Sequence, residues 1–238
     1  SMNNNCALSP TTTSTFIRGL VTSTATMNFE AQLNSTFASG FTIDITNAAA
    51  AAVTCFYLAL KGGEYKVGLM STPTATGNFT ISGQQVYSAP RGYMFLGNSD
   101  APTTAVLASA NCGIGFAKSS TEMFAVAISL QDATASSNLS RMYVTSTAWK
   151  GLHGTTNASA VVSSEFRFVD RTEDDFTCRL DVAAATSYGV LYATFGDTPP
   201  TFKVKVGGFS TATATGNQQI TGLTFTAGVV MFAHNKSA

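Results

Sequence analysis

The sequence predicts an all-β fold made of two related antiparallel β-sandwich units, jelly-roll-like in character and produced by an internal duplication. Three observations lead there. Short apolar alternations of period two recur along the chain, as expected for strands with one buried and one wet face. Clusters of Gly, Asn, Pro and Ser separate them at strand-sized intervals. The phrase Thr72–Gly83, "TPTATGNFTISG", returns as Thr211–Gly222, "TATATGNQQITG".

Taken in order, residues 1–14 are polar and read as a flexible N-terminus. "FTIDIT" sets Phe41, Ile43 and Ile45 on one strand face. "NAAAAAV", Asn47–Val53, is the one place where a short helical turn is expected. "KGGEYKVG" reads as a hairpin turn at Gly62–Gly63, since its glycines and lysine lack the phosphate-binding Walker spacing. "MFAVAISL" alternates from Met123 to Leu130. "EFRFVD" sets Phe166 and Phe168 against Glu165 and Arg167, and "FKVKVG" sets Phe202, Val204 and Val206 against Lys203 and Lys205. The Gly-Asn of each "ATGN" is a turn signal, because both residues tolerate positive φ.

The repeat extends beyond its opening phrase. Phe41-Thr42 matches Phe176-Thr177, the Ala runs match, and Tyr57 corresponds to Tyr192. Lys66-Val67-Gly68 matches Lys205-Val206-Gly207, and "GYMFLGN" ending at Asn98 matches "VVMFAHN" ending at Asn235. The chain thus opens with the second half of a unit and closes with the first half of another. Residues 69–206 are expected to form a complete central sandwich. Residues 15–68 with 207–238 are expected to form a second unit completed by both chain ends, or, as an alternative, by strand exchange between subunits.

Composition narrows the function. Only 11% of the 238 residues are charged, against about 25% in ordinary domains. Either the surface is hydroxyl-rich or much of it is covered in an assembly. Thirteen basic residues balance thirteen acidic ones, so neither nucleic acid nor membrane is an expected partner. No apolar run reaches the roughly 20 residues of a transmembrane helix, and the N-terminus lacks the features of a signal peptide. Cys6, Cys55, Cys112 and Cys178 show no C-x-x-C spacing and are expected to be free thiols, which fits synthesis in a reducing cytosol.

At "SGFTIDIT", "FYLALKGGEYKVG", "ATGNFTISG" and "ATGNQQITGLTFTAGVVMF" the chain resembles uncharacterised structural proteins of tailed bacteriophages and prophages, which carry such phrases in tandem. The resemblance covers roughly residues 40–98 and 175–235. It departs at Leu223, where a second glycine is usual, and at Ala227, where a proline is usual. It implies a virion structural protein of capsid, decoration or tail, made in the host cytoplasm, with a homo-oligomer and other virion proteins as partners.

Chemistry offers little beside that. The two histidines, His153 and His234, have no nucleophile-elbow context; the chain reads as no enzyme and as needing no cofactor or metal. Asp170, Glu173, Asp174 and Asp175 could ligate Ca²⁺ through hard oxygens, but a solvated turn before a strand is the favoured reading. Trp149, in "STAWKGLHG", reads as a loop residue next to His153. These two are the candidate ligand or interface contacts: a loop Trp can stack on a sugar, which would suit a receptor- or carbohydrate-binding module of a tail or fibre acting on a host glycan. A Trp that caps a sandwich or anchors an interface weighs more.

Overall fold

The structure is a computed structural model and describes residues 6–7, 17–20, 27–49, 64–83, 92–98, 106–107, 109–131, 140–154, 160–196, 203–210, 213, 215–227 and 230–233. Among them the fold is all-β with no helix. The strands are β1 (Cys6–Ala7), β2 (Ile17–Leu20), β3 (Met27–Phe37), β4 (Gly40–Asn47), β5 (Glu64–Ser71), β6 (Gly77–Ile81), β7 (Gly92–Gly97), β8 (Val106–Leu107), β9 (Ser109–Ser119), β10 (Glu122–Gln131), β11 (Ser140–Thr145), β12 (Trp149–Gly154), β13 (Ala160–Arg171), β14 (Phe176–Val182) and β15 (Gly189–Gly196). Every pairing is antiparallel. A six-stranded sheet has the order β11-β10-β9-β7-β15-β5, a four-stranded sheet β12-β13-β14-β6, and a three-stranded sheet β2-β3-β4; β1 and β8 form a short separate ladder.

The six- and four-stranded sheets face each other across one core. Alternation decides which side chains enter it. On β13 Phe166 and Phe168 point inward and Arg167 outward; on β14 Phe176, Cys178 and Leu180 point inward and Arg179 and Asp181 outward. Tyr93, Phe95, Met70, Val190 and Tyr192 meet them from the larger sheet. The rings interlock at centroid distances of 4.6 Å for Tyr93–Phe168, 5.2 Å for Phe95–Phe166 and 5.3 Å for Phe176–Tyr192, spacings at which aromatic pairs add to simple burial.

Strands expected at Phe41–Ile45, Met123–Leu130 and Glu165–Asp170 are present in β4, β10 and β13. The one expected at "FKVKVG" is not: residues 203–210 belong to no sheet. β5, whose Lys66-Val67-Gly68 they match in sequence, pairs with β15, and alternation records only the capacity to be a strand, not a partner for it. β5 begins at Glu64, which pairs with Gly196. No strand from residues 207–233 joins β2-β3-β4 among the described residues. Asn47 ends β4, while 50–53 and the Gly62–Gly63 turn lie outside the described residues.

Phe166 touches Phe79, Phe95 and Trp149 at once. Phe166→Ala should therefore lower unfolding stability by roughly 3–5 kcal/mol, read from denaturant midpoints. Val67→Ala, at a position 74% exposed, should stay within about 0.5 kcal/mol.

Candidate functional site

Trp149 is not a loop residue. It opens β12, is fully buried and stacks on Phe166 at 5.5 Å. Its indole N–H donates to the Gly113 carbonyl on β9 at 3.2 Å. With its face covered and its one donor used, the indole offers nothing to a sugar ring. The polar "STAWKGLHG" hid this because its glycines and hydroxyls read as a turn, while the close approach that buries Trp149 is allowed by Gly113 and Gly115 on β9. His153 also lies within β12, opposite Val161, and not in a loop; its side chain, like all of His234, is outside the described residues. Trp149, being buried, presents no surface to a ligand.

The neighbouring charge is structural. Lys150 Nζ pairs with Glu165 Oε2 at 2.7 Å, directly across the β12–β13 ladder, and Thr147 Oγ1 donates to Glu165 Oε1 at 2.6 Å. The pair is nearly enclosed, so its mutual neutralisation is what lets it stay there.

The acidic stretch is a turn closed upon itself. Thr172 Oγ1 accepts from the Asp174 and Asp175 amides at 3.3 and 3.0 Å, the Thr172 amide donates to the Asp175 carbonyl, and Asp170 Oδ1 accepts from the Arg171 amide. Arg171 itself reaches across to the Lys118 carbonyl at 3.1 Å. Among the described residues no group of three or more His, Cys, Asp or Glu is placed to hold a metal. Cys112 and Cys178 are free thiols; Cys178 lies in the core, where burial pushes its pKa up and leaves it unreactive. Cys55 and the side chain of Cys6 lie outside the described residues.

Two features that the sequence did not flag stand out. The first is Glu122, at the turn between β9 and β10. It accepts from Lys118 at 3.1 Å, from Lys205 at 3.0 Å and from the Val206 amide at 3.2 Å. Burial raises its pKa, but the Lys205, Lys118 and Val206 donors outweigh that, and the net shift is downward. Glu122 thereby straps the C-terminal segment to the sandwich, with Val204 seated against Gly92 and Val206 buried. The second is an apolar patch at the open edge of the six-stranded sheet. Leu69 pairs with Leu191, Val67 with Ala193 and Tyr65 with Phe195. Tyr65, Val67, Leu69 and Leu191 are exposed on the face away from the core, and β5 has no neighbour beyond it among the described residues.

Compared with protein-family models, curated proteins and solved structures, the chain matches none.

Two outcomes follow from this geometry. The chain has a single Trp, so its fluorescence reports one site: emission should be blue-shifted and nearly inaccessible to acrylamide in the native state, and added oligosaccharides should leave it unchanged. Quenching like that of free indole would contradict the burial. Glu122 has its pKa depressed on folding, so its stabilising contribution is present above the ordinary value of 4.5 and is lost as pH falls through the lower folded value. Unfolding measured between about pH 5 and pH 3 should lose less stability in Glu122→Gln than in the parent chain.

Proposed function

We propose that the protein is a structural component of a bacteriophage virion and that it works by self-assembly rather than by turnover. The observation that carries the assembly part is the patch formed by Tyr65, Val67, Leu69 and Leu191 beside the open strand β5. An exposed edge strand with a flat apolar face is a template for another chain, and a chain with 11% charge has few gatekeepers to prevent it. The likeness of its repeated phrases to tandem phage structural proteins supports the virion setting, with other virion proteins as neighbours. The glycan-binding reading loses its main support, because it depended on an accessible Trp149.

Light scattering on a sizing column at several concentrations tests the reading. Closed oligomers or larger particles are expected, and Val67→Lys combined with Leu69→Glu should shift them toward the 24.8 kDa monomer. A parent chain that stays monomeric at every concentration would overturn self-assembly.

A further inference from the structure

The N-terminal sheet copies part of the central sandwich, register for register. On β2–β3, Ile17↔Ala31, Arg18↔Glu30 and Gly19↔Phe29 stand where Trp149↔Phe166, Lys150↔Glu165 and Gly151↔Ser164 stand on β12–β13, and the register shifts after Gly19 as it does after Gly151. On β3–β4, Ala31↔Ile45, Leu33↔Ile43, Ser35↔Thr42 and Thr36↔Phe41 correspond to Phe166↔Leu180, Phe168↔Cys178, Asp170↔Thr177 and Arg171↔Phe176. Both ladders shift at the equivalent places, Glu30/Ala31 with Glu165/Phe166 and Leu33/Ser35 with Phe168/Asp170. Irregularities are specific features of a strand pair, and three coincident ones mean a shared blueprint.

The copy stops one strand short. β14 has β6 on its far side, whereas β4 has no strand there among the described residues. Phe176 and Leu180 are fully buried, while their counterparts Phe41 and Ile45 are 37% and 49% exposed. The missing strand has a sequence, however. β6 is the strand of the first "ATGN" phrase, and the second phrase places Gly216–Ile220 at the same position. These residues belong to no sheet, yet Gly216 has φ 144° against 142° at Gly77, and Gly222 has φ 87° against 73° at Gly83. The segment thus keeps the two turns that frame β6. Apolar side chains on and after it are uncovered: Ile220 is 46% exposed, and Phe232, counterpart of the buried Phe95, is 70% exposed and meets the Phe209 ring at 6.1 Å.

We propose that Gly216–Ile220 of one copy adds to the far edge of β4 in a second copy, antiparallel and in the register that β6 takes on β14. Ile220 then faces Phe41, Gln219 faces Thr42, Gln218 faces Ile43, Asn217 faces Asp44 and Gly216 faces Ile45. This is strand addition, in which main-chain hydrogen bonds supply affinity and alternate side chains supply register. A second copy is the occupant because donor and acceptor are both described in one chain and both keep their apolar side chains exposed. One donor and one acceptor per copy make the contact heterologous, so it runs on until a ring closes or two copies exchange segments. The proposal rests on the self-assembly reading and names the contact that performs it.

The test is a cross-link in trans. Thr80 and Thr177, the central pair's counterparts, bring their hydroxyl oxygens to 3.0 Å, so side chains at positions 42 and 219 should face each other on one side of the sheet. Chains carrying Thr42→Cys and chains carrying Gln219→Cys are mixed under mild oxidation and run on a non-reducing gel. A disulfide-linked dimer is expected, with mass spectrometry locating the bridge between positions 42 and 219. Mixing Thr42→Cys with Gln218→Cys, one residue out of phase and on the opposite face, should give several-fold less. Linkage no stronger than this control would overturn the proposal. So would a Thr42→Cys/Gln219→Cys double variant that bridges only within one chain. Light scattering on the parent chain separates the two failures: oligomers without the cross-link sink strand addition but leave assembly standing, and a strict monomer sinks both.

Discussion

The sandwich closes because β12 can lie directly against β9, and that approach is set by the absence of a side chain at Gly113 and Gly115. A Cβ on Gly115 would fall on the Ala148 carbonyl, and one on Gly113 would strike the Lys150 carbonyl and the Trp149 indole. With both positions bare, the indole N–H reaches the Gly113 carbonyl, and Trp149 is pressed onto Phe166. Phe166 in turn meets Phe95 from the larger sheet and Phe79 from β6. One close backbone approach therefore fixes the spacing at which the whole aromatic core interlocks, in keeping with interiors that tolerate little change in volume.

That dependence explains which parts of the fold were legible beforehand. β10 and β13 were readable because alternation alone defines a half-buried strand, and Met123, Ala125, Phe166 and Phe168 do fall on the inner face. β12 was not, because "STAWKGLHG" has the local look of a turn, and the room for Trp149 comes from Gly113 and Gly115 on the distant β9. "FKVKV" erred the other way, since its alternation is intact and its ladder partner is missing. The candidate surfaces were harder still. An open edge is a property of strand order, which no local pattern encodes, and Glu122 acquires its role only when Lys118, Lys205 and the Val206 amide converge on it.

The few charges are used sparingly and in place. Lys150 and Glu165 neutralise each other across a ladder, Arg167 and Arg179 share Asp181 on the outer face of β13–β14, and Glu122 ties the C-terminal strap down. The exposed pairs contribute little to stability. Their effect is positional: polar side chains mark the outer face of the four-stranded sheet, and the apolar patch is left at β5 and β15 on the other sheet.

The three-stranded sheet carries the same division of faces, covered at one end and exposed at the other among the described residues. Its polar face is organised, with Gln32 donating to Asp44 at 3.1 Å and Thr46 to Glu30 at 3.0 Å. Its other face buries Phe29 and Ala31 and exposes Leu33, Phe41 and Ile45. Scattered surface hydrophobics would not line up on alternate positions of two paired strands. The arrangement is that of a sheet whose apolar side is meant to be covered, as the matching side of β13–β14 is covered by Tyr93, Phe95 and Tyr192. The C-terminal segment has the complementary defect, since Phe209 and Phe232 stand exposed where Met70 and Phe95 are buried. The exposed apolar positions of β3–β4 and of the C-terminal segment are thus each matched in sequence by buried positions of the central sandwich, which is the pattern expected of surfaces that cover one another.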